Sequence, residues 1–174
     1  MSFRDLVDKR YSVRGYQDRS VDQELIVRVL DAARNAPSAV NNQPWCFIVL
    51  RREEAKKNLK AVYDREWFLN APVIIAVCCD RTVSWKRKDG KDYGDVDAAI
   101  AMDHITLAAA DEGLGTCWIG AFSLPEALRV LKLPSYIEPI AFTPLGYPSL
   151  PQGARRRKEL DEVVFWEQYG NSKP

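Results

Sequence analysis

The eighteen residues from Asp95 to Glu112 (DVDAAIAMDHITLAAADE) limit the fold more than any other stretch of the chain. Their alanine, isoleucine, methionine and leucine content makes a helix that is apolar around most of its circumference, and Gly113 is the residue type at which helices stop. Such a helix cannot lie on a surface, so it belongs at the centre, enclosed by other elements. Two shorter runs, Trp45 to Leu50 (WCFIVL) and Val73 to Cys79 (VIIAVCC), are apolar at every position. They read as strands with both faces covered. A charged helix, Glu53 to Val62, falls between them.

The remaining elements follow in order. A short first helix spans about Phe3 to Lys9. Ser20-Val21-Asp22-Gln23 has capping-box spacing, and the helix after it places Leu25, Ile26, Val29, Leu30 and Ala33 on one face before Pro37 halts it. Residues 81–93 (RTVSWKRKDGKDY) read as an exposed loop. Thr116 to Phe122 is expected as a third strand, Pro125 to Leu131 as a helix and Ile137 to Leu145 as a fourth strand. Helices and strands mix without a βαβ rhythm, which gives the α+β class with one main sheet. A length of 174 residues and 47% apolar composition suit one globular domain over 1–174. The apolar tail, with Val163, Val164, Phe165, Trp166 and Tyr169, must pack on its own core or as an arm (160–174) on a partner subunit.

Several function classes drop out. Twenty-five Lys and Arg against 24 Asp and Glu leave a charge of +1, which argues against a nucleic-acid partner. No run approaches the ~20 apolar residues needed to cross a bilayer, and the charged start MSFRDLVDKRYS has no signal-peptide core, so a cytoplasmic protein is expected. Cys46, Cys78, Cys79 and Cys117 form no Cys-x-x-Cys pair and read as small buried hydrophobes. The single histidine, His104, precludes a multi-histidine metal site and fits a helix packing or subunit contact. Gly113-Leu114-Gly115-Thr116-Cys117-Trp118 is not a dinucleotide fingerprint: its sixth residue is Trp, and it leaves a helix to enter a strand.

Three segments carry more polar chemistry than folding needs. In an extended Arg10-Tyr11-Ser12-Val13-Arg14, residues two apart share a side, so Arg10, Ser12 and Arg14 offer two guanidinium forks and a hydroxyl to one anion; a solvated charged strand would look the same. Ala36 to Trp45 (APSAVNNQPW) joins helix to strand through amides and hydroxyls able to read a flat heterocycle, or to make the loop's own turns. Arg155-Arg156-Arg157-Lys158 is either a surface run or the other half of an anion site.

Taken in order with Ala-Met-Asp-His-Ile-Thr-Leu-Ala-Ala at 101–109, Gly-Leu-Gly-Thr-Cys-Trp-Ile-Gly-Ala-Phe at 113–122 and Leu-Gly-Tyr-Pro at 145–148, these segments resemble the nitroreductase family of FMN-dependent oxidoreductases from Phe3 to Tyr169. The resemblance implies an α+β sandwich with a central mixed sheet flanked by helices, assembled as an intertwined homodimer with FMN at the subunit interface. It implies that Arg10, Tyr11 and Ser12 meet the FMN phosphate and ribityl chain, closed by Arg155 and Arg157, with Arg14 beside the flavin N1 and C2 carbonyl. Pro37, Ser38, Ala39 and Asn41 match the loop reaching the flavin from the partner subunit. Ile119, Gly120 and Ala121 match the backbone beside N5. The implied chemistry takes a hydride from NAD(P)H and passes electrons to a nitroaromatic or quinone-type acceptor by a ping-pong mechanism. Reductive dehalogenation, flavin fragmentation and a non-catalytic FMN-binding or redox-sensing role are the alternatives.

Overall fold

The chain wraps helices on both faces of a four-stranded sheet; the structure, a computed structural model, describes residues 2–173. In chain order the elements are α1 (Phe3–Lys9), α2 (Gln23–Arg34), β1 (Trp45–Leu50), α3 (Glu53–Lys57), α4 (Glu66–Leu69), β2 (Val73–Asp80), α5 (Gly94–Asp111), β3 (Gly115–Thr116), α6 (Leu124–Leu131) and β4 (Ile137–Gly146). The sheet order is β1-β2-β4-β3 with every ladder antiparallel. Its mixed character is confined to one parallel bridge, Ser12 to Thr116.

Strand periodicity divides the core. Val73, Ile75 and Val77 of β2 point to one face, against Ile26, Val29 and Ala33 of α2 and Ala98, Met102 and Ile105 of α5. Ile74, Ala76 and Cys78 point to the other, among Leu59, Phe68, Ala127 and Phe142. Cys78 and the adjacent Cys79 therefore diverge, as their neighbouring positions require. The β2–β4 register slips between Val77, opposite Ala141, and Cys78, opposite Pro139. That bulge is where a central strand can hold a proline, which has no N–H to give the ladder.

Five expectations change. The helix after Ser20 starts at Gln23 with Asp22 as its N-cap and no side-chain cap bond, because the chain stays extended to bury Val21 (1% exposed). The capping box sits instead on α1, between Ser2 and Asp5. The third strand ends at Thr116: the Cys117 N–H donates to the Thr143 hydroxyl (3.2 Å) rather than to a backbone carbonyl, and the chain leaves the ladder except where Ile119 bridges Phe142. β1 is an outer strand, half-buried rather than enclosed. On α5, Ile100, His104 and Leu107 are only partly covered and Val96 is exposed, so the central helix keeps an open strip. Residues 81–93 fold back as a small hairpin, with Lys86 bridging Asp92, Gly90 turning at φ 89° and Trp85 edge-on to Tyr93 at 5.0 Å.

Candidate functional site: a cavity lined by arginines

Residues 10–14 form an extended strip beside β3. The Val13 N–H donates to the Thr116 carbonyl (2.8 Å), the Tyr16 hydroxyl donates to the Val13 carbonyl (2.9 Å), and Val13 is buried against Gly115. With Val13 facing in, the two-residue alternation turns Arg10, Ser12 and Arg14 to the other side. The chain beyond β4 runs back along this strip. Tyr16 bridges Pro148, the Ser149 N–H donates to the Gly15 carbonyl (3.0 Å), and the Tyr11 hydroxyl donates to the Leu150 carbonyl (2.7 Å).

Between the strip and the returning chain lies a cavity of about 260 Å³, lined by Arg10, Tyr11, Ser12, Arg14, Gln152, Gly153, Ala154, Arg155 and Arg157. Among the described residues, four guanidinium groups line it and no carboxylate does. Unpaired like charges held together cost free energy, and an anion recovers it through charge-assisted, often bidentate hydrogen bonds. Arg155 differs from the other three. It donates to the carbonyls of Val7 and Arg10 (both 3.1 Å) and to the Asp8 carboxylate (2.9 Å), so it fastens the returning chain to the end of α1. Cys117 lies close behind Ser12 and Arg14. Burial pushes its thiol up, against the pull of the Arg14 charge.

The structure thus joins the first and third of the polar segments, although some 145 residues separate Arg10 from Arg155. It does not bring the second to them. Asn41 and Asn42 line a separate, open hollow of about 740 Å³ with Arg81, Thr82, Val83, Ser84, Trp85 and Lys86. Pro37 is exposed, Ser38 and Ala39 are half-buried, and the loop is strained: Val40, Asn41 and Gln43 have φ of 47°, 59° and 49°. For a β-branched residue such as Val40 a left-handed backbone costs on the order of 1–3 kcal/mol. Ile119 is buried in the core, while Gly120 and Ala121 are exposed and line neither cavity. Gln152, Gly153 and Ala154 were missed from sequence; a Pro-Gln-Gly-Ala segment directly ahead of the arginine run is the signal that could have marked them. Also missed was Asp97, which is 1% exposed and accepts a hydrogen bond from the Ala39 N–H (2.9 Å). Among the described residues no group of three or more His, Cys, Asp or Glu could hold a metal ion, and no helix is long and apolar enough to cross a membrane.

Fold and site together define an α+β protein with a guanidinium-lined cavity between its N-terminal strip and its C-terminal segment. The Nitroreductase family profile matches residues 7–66 and 59–147, and the chain belongs to that family. A protein of Methanothermobacter thermautotrophicus, provisionally named NADH dehydrogenase/NAD(P)H nitroreductase, is 36% identical over 168 residues, covering 94% of this chain and 86% of the relative. The FMN reductase [NAD(P)H] of Bacillus subtilis is 31% identical over 185 residues, covering 97% and 74%. A nitroreductase family protein from Clostridium difficile 630 superposes with a TM-score of 0.91 at 36% identity, over 97% of this chain and 99% of the other.

Proposed function

We propose that the chain is an NAD(P)H-dependent FMN oxidoreductase that reduces nitroaromatic or quinone-type acceptors by a ping-pong mechanism. The observation that carries this reading is the cavity in which Arg10, Ser12, Arg14 and Arg157 converge without a carboxylate. The fit to FMN is chemical. A terminal phosphate dianion matches several guanidinium forks and a hydroxyl better than a bridging pyrophosphate does, and the open backbone at Gly153 lets such a group approach closely. The names of the Bacillus and Methanothermobacter relatives agree with an FMN- and NAD(P)H-linked activity.

Bound FMN would supply a carrier that takes two electrons as hydride from NAD(P)H and yields them to the acceptor. The chain's own residues bind, orient and tune. Arg10, Ser12 and Arg157 would hold the phosphate, Arg155 keeps the returning chain in place, and the Tyr11 ring would wall the ribityl chain while its hydroxyl donates to the Leu150 carbonyl. Arg14 lies at the outer end of the strip, where its charge would offset negative charge gathering at the flavin N1 and C2 carbonyl. The exposed backbone of Gly120 and Ala121, next to the buried Ile119, would be offered to the flavin ring. Pro37, Ser38, Ala39 and Asn41 complete the site from a second copy, because within one chain they stay apart from the arginine cavity.

That last assignment requires a homodimer, and three open apolar surfaces support one. They are the strip on α5, the outer edge of β1, and the tail, where Leu160 and Tyr169 are 75% and 91% exposed. Beside β1 lies a hollow of about 670 Å³ walled by Ile26, Val27, Leu30, Ile48, Val130 and Leu131, which would seat a few apolar side chains of the 160–174 arm of the second copy. Removal of residues 160–174 is expected to yield monomers in sedimentation and to lower FMN occupancy; a truncated chain that stays dimeric and fully flavinated refutes the arm's role.

Anaerobic stopped-flow tests the activity. Flavin absorbance should bleach on mixing with NADH or NADPH and return on adding a quinone or nitroaromatic, with parallel double-reciprocal plots in steady state. A yellow protein whose flavin neither nucleotide bleaches would instead be a non-catalytic FMN binder.

A further inference from the structure

We propose that Asp97 is the positioning residue of the amide-rich loop, fixing from the central helix the backbone that residues 38–41 present to the cofactor. The proposal rests on reading that loop as flavin-facing. Asp97 lies in the first turn of α5 among alanines, and a carboxylate is expensive there unless its acceptor atoms are used. Its Oδ1 accepts from the Ala39 N–H, 58 residues away in sequence, and no donor among the described residues reaches Oδ2. The Ala39 amide opens a tight 3₁₀ turn (Ala39–Asn41) and has no partner within that turn, so this carboxylate is its only satisfaction.

The loop needs such an anchor. Val40, Asn41 and Gln43 all hold left-handed backbone, which persists only where surrounding contacts over-determine it. Its remaining ties are local or peripheral. The Ser38 hydroxyl accepts from the Gln43 N–H (2.9 Å) inside the loop, and the exposed Asn42 amide donates to the Val83 carbonyl (2.8 Å) of the 81–93 hairpin. Among the described residues, Asp97 alone connects the turn to the buried core through a side chain. Complementing the helix dipole does not explain its burial, since Asp95 in the same turn does so while exposed and paired with Arg81.

Two substitutions separate acceptor from charge: Asp97→Ala removes both, and Asp97→Asn keeps the acceptor oxygen. Hydrogen exchange at the Ala39 to Gln43 amides is followed in the flavin-free protein, and FMN affinity by quenching of flavin fluorescence. Asp97→Ala should speed Ala39 exchange and weaken FMN each by roughly tenfold or more, whereas Asp97→Asn stays within about threefold on both. If Asp97→Ala does not fold, Ala39→Pro removes the donor from the other side, at a turn-opening position that follows an extended Ser38, and should weaken FMN to the same degree. The proposal is overturned if Ala39 exchange is unchanged in Asp97→Ala, if Asp97→Asn is as damaging as Asp97→Ala, or if the loop loosens while FMN binds as before. A wild-type protein that binds no FMN would refute the flavin reading instead, and the exchange measurements would still decide whether Asp97 holds the loop.

Discussion

Replacing Gly115 by alanine should damage stability and the arginine cavity together. A Cβ built there meets Val13 Cγ2 at 2.5 Å, Val13 Cβ at 2.9 Å and Pro148 Cγ at 3.0 Å. Neither neighbour can swing aside, since valine is stiff at χ1 and proline is a ring. The clash is relieved only by moving the 10–14 strip off β3, which stretches the Val13 to Thr116 bond and uncovers a side chain that is 1% exposed. Overpacking of this kind costs about 1–3 kcal/mol. In a chain of this length each kcal/mol lowers Tm by about 2–4 °C, so the flavin-free variant should melt roughly 2–12 °C below wild type. The strip that moves carries Arg10, Ser12 and Arg14, so FMN affinity should fall by about tenfold, the value of one hydrogen bond to a charged group. Differential scanning calorimetry and FMN titration measure the two effects. Gly120→Ala is the control: its Cβ meets only Trp118 Nε1 at 3.9 Å, and its Tm should stay within about 2 °C of wild type. A Gly115→Ala protein that melts and binds FMN like wild type refutes the packing argument. One that melts early but binds FMN normally removes the strip from the site.

The arginines should separate by role. Arg157→Ala is expected to weaken FMN retention by about 10- to 100-fold with Tm nearly unchanged, while Arg155→Ala, which cuts the tie to Asp8 and α1, lowers both; equal melting losses in the two variants would contradict the division. Arg14→Ala should make the bound flavin harder to reduce by roughly 30–65 mV, the equivalent of ~1.5–3 kcal/mol for two electrons, measured by equilibration against redox dyes. Loss of FMN with no change in potential would place Arg14 in the phosphate cluster. The Cys46 thiol, opposite Cys78 in the β1–β2 ladder and held down to about 7 by that neighbour, should be alkylated by iodoacetamide with a midpoint near that pH as thiolate forms on the alkaline side. The same partner and burial push Cys78 up, so it should stay unmodified there, and Cys78→Ala should move the Cys46 midpoint upward; an unmoved midpoint refutes the cross-strand influence.

The elements that sequence places correctly are those whose own side chains decide them. β2 is apolar at both parities because both faces are covered, and α5 ends at Gly113, whose φ of 75° favours glycine. Where a distant group decides, sequence fails. The third strand is cut short by the hydroxyl of Thr143, which no local pattern in 116–122 announces. The site divides in the same way. Alternation alone puts Arg10, Ser12 and Arg14 on one side, and burial of Val13 confirms the phase. That Arg155 clamps α1 while Arg157 lines the cavity depends on a return path of the chain that the two identical side chains do not encode. Asp97 was hidden because, with Asp95, it is one of two aspartates in the first turn of a helix, where acidic residues read as dipole complement, and its bond to Ala39 appears only in three dimensions.

The outer position of β1 has a consequence for how the chain keeps from sticking to copies of itself. A newly folded protomer displays a row of unsatisfied backbone groups along WCFIVL, a template on which any extended segment could lay itself. Pro44 stands directly before this row and the exposed Arg51 and Arg52 directly after it. Two such edges meeting side by side in the same direction would stack arginine on arginine, a repulsion repeated with every added chain. The flanking residues thus oppose runaway parallel growth while leaving the pairing of β1 with β2 untouched.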